Sequence, residues 1–324
     1  MRTSSWVGVV VAWIACGCVA ACAAGGAPDG SGSDTPDSSA SSAKDAGSTK
    51  KDAQSSSSND AAQSTGTEDA GSTDAQMGDE PDAQTAPQPI VFGHSPDTLY
   101  SMDVTTNQIT EVAPFSGCTQ STLTQVIDLA IDAHMNAYVT TFDGFYSLDL
   151  GTAQCTLVKT GAYPNSLSFV PAGTVDPNVE ALVGYAGNAY LRIDTSTGDI
   201  TSVGTLSGGY QSSGDIVSVE GGGTFLTVTG NGCGDCLLQV NPATGDLVQS
   251  YGALPHGAVY GLAYWAGSLY GFDATGDLFT IGSDGDGGIA STDVVTDGGV
   301  IWWGAGSTTI APSTAADGGA IPTQ

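Results

Sequence analysis

Positive charge is the scarcest commodity in this sequence: six Lys and Arg stand against 34 Asp and Glu in 324 residues, a formal net charge of −28. So acidic a chain repels the phosphates of nucleic acid, which is therefore not an expected partner. No apolar run reaches the length of a stable membrane span, and the run from Trp6 to Ile14 falls well short of it. Helical periodicity is missing, and so are the Gly-x-Ser-x-Gly, Walker, His-Glu-x-x-His and dinucleotide signatures, which leaves no familiar catalytic motif. From Ala23 to about Gln88 large apolar side chains are almost absent. That stretch cannot bury enough surface to offset the entropy of ordering, and it is expected to be a disordered linker.

What is present begins with a leader. Met1-Arg2 supplies a positive charge, the short apolar run follows, and small residues lead to Val19-Ala20-Ala21-Cys22, the layout of an export signal. The last four residues resemble the lipobox of bacterial lipoproteins. That resemblance implies a signal peptide over 1–21, acylation of Cys22, and partnership with a membrane through the lipid. Ala23 rather than Asp after the Cys implies the outer membrane, with the inner membrane as the alternative. Residues 22–88 then form an acidic tether, three Lys against twelve Asp and Glu beyond Cys22, spanning roughly 45 Å as a flexible coil.

After Pro89 short β-branched and aromatic runs are punctuated by Gly, Asp and Asn, the pattern of an all-β domain. A repeat emerges on alignment: an acidic or amide residue ends a strand at Asp103, Asp149, Asp194 and Asn241, spaced by 46, 45 and 47. Tyr100, Tyr146, Leu191 and Leu238 stand three before it, and Thr106, Thr152, Thr197 and Thr244 three after. A second series, Asp128-Leu129-Ala130-Ile131, Ser166 to Phe169, Asp215 to Ser218, Gly261 to Tyr264 and Val300 to Trp303, marks a further strand in five copies. Four strands per unit of this length predict a β-propeller over 89–312. Five four-stranded blades are expected, with Val300 to Gly304 completing the first and a degenerate fifth hairpin at Leu278 to Ile281. A sixth blade is the alternative, drawing on Ser307 to Ile310, and residues 313–324 are read as a flexible tail.

The Tyr-x-φ-Asp-x-x-Thr-Gly-x-φ hairpin resembles that of bacterial β-propeller repeats, where φ is apolar. The order of signal, Cys, acidic tether and propeller resembles cell-surface propeller lipoproteins of unassigned role, and implies an exported protein of the cell envelope.

Propeller topology sorts the loops. With the four strands of a blade lettered A to D from the axis outward, connections D-to-A and B-to-C share one face, called the first here; A-to-B and C-to-D share the second. His256 and His94 fall on the first face and His134 on the second, so a three-His zinc site is not expected. The first face carries the richer loops, and Asp128, Asn165, Tyr210, Asp215 and His256 are its candidate ligand contacts. Asp284-Gly285-Asp286-Gly287-Gly288 resembles part of a Ca2+ loop but lacks its third ligand and distal Glu, and reads better as a polar hairpin turn. No other cofactor is indicated.

Behind an export signal, Cys233 and Cys236 are expected to form a local disulfide between strands B and C of blade 4. Cys118 and Cys155 are the remaining pair and are expected to bridge blades 1 and 2 if the linker Gly117 to Thr124 folds back along the blade, since the topology places them at opposite faces and a bridge needs Cα atoms within about 7 Å. The reading that results is an anchored binding or interaction module for an extracellular or periplasmic protein, glycan or ion. Two alternatives stand beside it. One is a lactonase-type propeller hydrolase with a central metal lined by Asp128, Asn165 and Asp215. The other is a scaffold whose channel is filled by Trp302, Trp303, Tyr264 and Phe169.

Overall fold

The computed structural model describes residues 90–118, 125–286 and 288–314. The leader, Cys22 and the tether, with residues 119–124, Gly287 and 315–324, lie outside the described residues. Every regular element among those described is a strand, and no helix among them is long and apolar enough to cross a membrane.

Twenty strands form five separate four-stranded antiparallel sheets, a five-bladed β-propeller. Blade 2 comprises β4 (Val126–Ile131), β5 (Ala137–Thr141), β6 (Gly144–Asp149) and β7 (Gln154–Thr160) from the axis outward. Blade 3 is β8 (Ser166–Val170), β9 (Ala181–Ala186), β10 (Ala189–Ile193) and β11 (Ile200–Thr205). Blade 4 is β12 (Tyr210–Val219), β13 (Gly223–Gly230), β14 (Cys233–Val240) and β15 (Leu247–Ala253). Blade 5 is β16 (Val259–Trp265), β17 (Ser268–Asp273), β18 (Leu278–Ser283) and β19 (Ile289–Val295). Blade 1 joins distant parts of the chain: β1 (Ile90–His94), β2 (Thr98–Asp103) and β3 (Gln108–Pro114) take β20 (Gly304–Gly306) as their innermost strand.

Here the structure corrects the expected closing strand. Val300 to Trp303 is not a strand; Gly304, Ala305 and Gly306 pair with His94, Gly93 and Phe92 instead. Innermost strands crowd the axis, where Gly306 abuts the Leu129 carbonyl and Gly304 abuts His94 and Asp128, so bulk is excluded there. Trp302 fills the wedge between blades 1 and 5 instead, edge-on to Tyr100 at 5.4 Å and to Phe272 at 5.2 Å between ring centroids. Trp302 is thus taken up between blades rather than in the channel, and the described residues form five blades with no sixth.

The apolar faces of adjacent blades meet in such wedges. Phe145, Leu167, Phe169 and Leu182 pack between blades 2 and 3, and Tyr185, Tyr190, Ile216 and Leu226 between blades 3 and 4. Each fully buried Phe, Leu or Ile contributes about 1.5–3 kcal/mol.

The repeated acidic residue organises the turn between strands C and D. Asp194 Oδ1 accepts from the backbone N–H of Ser196 and of Thr197, each at 2.9 Å. Asp103 does the same for Thr105 and Thr106, Asp149 for Gly151 and Thr152, and Asn241 receives Ala243 N–H. This is the Asx turn, in which a short side chain imitates a backbone turn. Blade 5 has it too: Asp284 accepts from Asp286 N–H at 2.9 Å and Gly288 N–H at 2.8 Å. The segment resembling a calcium loop is thus the fifth copy of the hairpin turn, and the fifth hairpin is complete rather than degenerate.

These turns also lock neighbouring blades together. Tyr185 donates its hydroxyl to the Gly245 carbonyl at 2.6 Å and Tyr190 to that of Pro242 at 2.8 Å, so blade 3 grips the turn of blade 4. Tyr163 holds the Gly198 carbonyl of blade 3 at 2.7 Å, and Lys159 pairs with Asp199. Gly245 is required twice over: its φ is +69°, and a Cβ there would land in the Tyr190 ring.

Both disulfides are formed, Cys118–Cys155 with Cα atoms 5.3 Å apart and Cys233–Cys236 with 6.1 Å. The topological objection to the first dissolves because the chain leaving β3 crosses to the outer edge of blade 2. Ser116 donates its N–H to the Ala153 carbonyl and accepts from Cys155 N–H. Cys233 and Cys236 lie within the first half of β14 rather than in the loop before it.

Gly245→Ala should lower the thermal midpoint well beyond Gly232→Ala, which shares a positive φ but faces open space; equal losses in thermal unfolding would refute the clamp. Reducing the Cys118–Cys155 bridge, which closes 37 residues, should cost about 4 kcal/mol by loop entropy. A Cys118→Ser/Cys155→Ser chain should reproduce most of the loss that dithiothreitol causes. Hydrogen bonds from the Ser196 side chain and the Thr197 and Ser196 amides hold the Asp194 carboxyl down at about 2. Its contribution to stability is therefore present above the ordinary carboxylate range and fades as pH falls towards 2. Asp194 is solvent-exposed, so Asp194→Ala should lower the midpoint by a few degrees at most at pH 7. The difference from the parent should vanish near pH 2, while Asp194→Asn, imitating Asn241, should lose less at pH 7.

Candidate functional site

Strand alternation and the crowding of the axis single out one ring of positions: Asp128, Ser166, Asp215, Gly261 and Gly304, one on each innermost strand. All five are buried. The backbone N–H of the next residue on these strands needs an acceptor, and two carboxyls provide it. Asp128 receives Leu129 N–H at 2.8 Å on Oδ1 and, from the neighbouring blade, Leu167 N–H at 2.6 Å on Oδ2. Asp215 repeats this with Ile216 N–H at 2.6 Å and Leu262 N–H at 2.7 Å, and the Ala305 amide also bears on it.

The two carboxyls, from blades 2 and 4, feel each other's charge. Burial drives both well above the usual carboxylate range, and for Asp128 the Asp215 charge adds to it. Two like charges buried together disfavour double ionisation, so retention of a proton by the pair is favoured.

His94 joins them. It ends β1 and is wholly buried, with Nδ1 2.9 Å from the Ser95 carbonyl oxygen. Desolvation holds its imidazole down at about 4, so it is neutral at pH 7. A side chain at Gly304 would collide with both His94 Nε2 and Asp128 Oδ1, which border the same bare glycine. The histidine spacing placed His94 on the first face, but nothing in the sequence marked it as a neighbour of Asp128.

The five residues singled out as first-face contacts are not one constellation. Asp128 and Asp215 meet at the axis, and Asn165 is exposed on the loop before β8. Tyr210 is packed into blade 4, its hydroxyl 3.2 Å from Asn231 Nδ2 and 3.5 Å from Ser250 Oγ. His256 is held by blade 5: Nδ1 lies 3.2 Å from Asp273 and Nε2 3.2 Å from Asp293, while its ring stacks on Phe279 with centroids 3.7 Å apart.

An open cleft of about 560 Å³ occupies the second face instead, built by the A-to-B connections. Asp132 and His134 follow β4, Asn178 to Glu180 precede β9, Glu220 follows β12 and Ile310 follows β20; Tyr138 and Phe169 form part of the floor. Asp132, His134 and Glu180 offer ligand atoms within 4.8 Å of one another. Glu180 is anchored by Ala133 N–H at 2.8 Å and by the Thr309 hydroxyl, and Asp132 by the amides of His134 and Asn136. Among the described residues no Lys or Arg lines the cleft: Lys159 pairs with Asp199 and Arg192 with Asp176 at 2.8 Å. The cleft residues belong to the connections that vary between repeats, where the column alignment carries no signal.

Asp215→Ala would strip acceptors from the buried amides of Ile216 and Leu262, at about 1–3 kcal/mol each. Thermal unfolding should therefore drop by several degrees, and Asp215→Asn, which keeps one oxygen, should drop less. An unchanged midpoint for Asp215→Ala would contradict the role assigned to the pair.

No protein-family model matches this sequence, and no curated protein matches it. Among solved structures, a crystal structure of a nidogen/laminin complex is similar over 67% of this chain and 97% of that one, at 9% identity and a TM-score of 0.44. A structural-genomics protein of unknown function from Bacteroides thetaiotaomicron is similar over 57% of this chain, at 13% identity and a TM-score of 0.38. This chain spans about half, 54%, of that protein's length.

Proposed function

We propose that this protein is an exported β-propeller, anchored to the outer membrane through lipid on Cys22, that binds a positively charged partner in the second-face cleft. The observation that carries the reading is the cleft's lining. Carboxylates of Asp132, Glu180 and Glu220 line it with His134 but, among the described residues, without a Lys or Arg, and the exposed apolar Val179 and Ile310 give a ligand surface to rest on. Acidic walls around a low-dielectric floor concentrate a cationic ligand and speed its arrival. A basic protein segment or a polyamine has the matching chemistry. The first-face mouth has less to offer a ligand, since Asp128 and Asp215 are spent on backbone amides and on each other. The same geometry weighs against a lactonase-type hydrolase, whose metal must stay open to substrate.

Calorimetric titration of the full chain with oligolysine, and with oligoglutamate as the control, tests the binding. The basic probe should bind with an affinity that falls steeply with salt, and Glu180→Gln/Glu220→Gln should weaken it by about tenfold. Indifference to those substitutions would overturn the assignment. Radiolabelled fatty acid should enter the parent chain in cells but not Cys22→Ala, and equal labelling would remove the anchor.

A further inference from the structure

At the first face of blade 5, one imidazole is faced by three carboxyls. His256, on the connection into β16, has Asp273 Oδ2 at 3.2 Å and Asp277 Oδ2 at 3.9 Å from Nδ1, and Asp293 Oδ1 at 3.2 Å from Nε2. His256, Asp273 and Asp277 each bring one ligand atom within 4.8 Å of the others. The remaining atoms are held in place. Asp273 Oδ1 accepts from the Thr275 and Asp277 amides and the Thr275 hydroxyl, Asp277 Oδ1 accepts from Asp297 N–H at 2.9 Å, and the imidazole ring is stacked on Phe279. The turn from β17 to β18 therefore leaves one oxygen of each aspartate to face the imidazole. An imidazolium would offset only one of the three negative charges, and the two Lys and Arg of the described residues pair elsewhere, with Asp199 and Asp176. A proton on Nδ1 would be satisfied by Asp273 alone and would leave Asp277 Oδ2 beyond hydrogen-bond reach. A metal ion engages all three.

We propose that His256, Asp273 and Asp277 bind a divalent transition-metal ion of the Zn2+ class at the first face, with water completing its shell. Bonds of about 2.0–2.1 Å to a tetrahedral zinc set neighbouring ligand atoms about 3.3 Å apart. Nδ1 and Asp273 already stand at 3.2 Å, and Asp277, 24% exposed at the rim, has only a short step inward to make. The surroundings are those that metal ligands require: Nε2 keeps its proton and donates it to Asp293, while backbone amides hold the outer oxygens of both aspartates. One imidazole nitrogen with two carboxylates suits zinc or a neighbouring first-row metal better than calcium, which prefers oxygen alone. Three protein ligands leave the fourth position to water, which the partial exposure of His256 and Asp277 admits. The ion ties the connection into β16 to the turn between β17 and β18. It lies on the face opposite the acidic cleft and does not depend on what binds there.

The test uses the full chain, stripped of metal with a chelator and titrated with Zn2+ in a calorimeter, with bound metal counted by elemental analysis. One ion per chain should depend on this cluster, and the thermal midpoint should rise as it fills. His256→Ala should weaken that binding by about 100-fold, and Asp277→Asn and Asp293→Asn by about tenfold each. Asp286→Asn, on an exposed turn of the same blade, should leave it unchanged. Asp277→Asn retains an oxygen for the Asp297 amide, so it keeps the question open to measurement even if His256→Ala fails to fold. X-ray absorption of the Zn2+-loaded parent chain should show imidazole scattering, and a shell of oxygen alone would overturn the proposal. Absence of stoichiometric uptake by the parent chain would do the same, as would uptake at full strength in Asp277→Asn.

Discussion

Five strands converging on one axis bring their backbone amides together where there is little room for anything to receive them. Asp128 and Asp215 resolve this by each accepting from its own strand and from the strand of the next blade. The side chains are small or absent at the other three positions of that ring, Ser166, Gly261 and Gly304, which is what lets two carboxyls occupy the centre. Closure of the ring at the axis and the burial of both carboxyls follow from this one requirement.

Farther out, a different device sets the spacing between blades. The Asx turn presents its carbonyls outward, and tyrosines of the preceding blade take them, Tyr163 for Gly198 and Tyr185 and Tyr190 for blade 4. The repeated Asp, Thr and Gly are thus conformational on their own blade and adhesive towards the blade before. Amides at the axis and tyrosines at the rim hold the ring at two radii, with apolar wedges between them.

Much of this was legible in the sequence, because the turn needs an Asx side chain and a following residue able to take a positive φ, and those leave a column every 45 to 47 residues. Legibility failed where physics removes the signal. The closing strand is Gly-Ala-Gly, chosen for its lack of bulk, so the apolar Trp302 and Trp303 beside it looked more like a strand than it did. The fifth turn keeps Asp284 but not the Thr-Gly, so it could be read as a polar hairpin turn but not as the fifth copy of the repeat. Cys118 and Cys155 could not be paired from strand order, since the exit of β3 across blade 2 is a matter of tertiary path. Asp128 and Asp215 stood out by residue type, but their partners are backbone groups, which no side-chain pattern records. The acidic cleft lies in connections that differ from blade to blade, and so had no column to betray it.

Blade 1 carries a consequence for how the protein is made. Its inner strand arrives more than two hundred residues after the strand it pairs with, Phe92 meeting Gly306. As the chain is made N-terminus first, β1 presents a bare hydrogen-bonding edge for nearly the whole of synthesis, a standing invitation to intermolecular pairing. The order in which residues emerge therefore matters as much as their identity: until Gly304–Gly306 is delivered, the first blade lacks its inner strand and the ring cannot close.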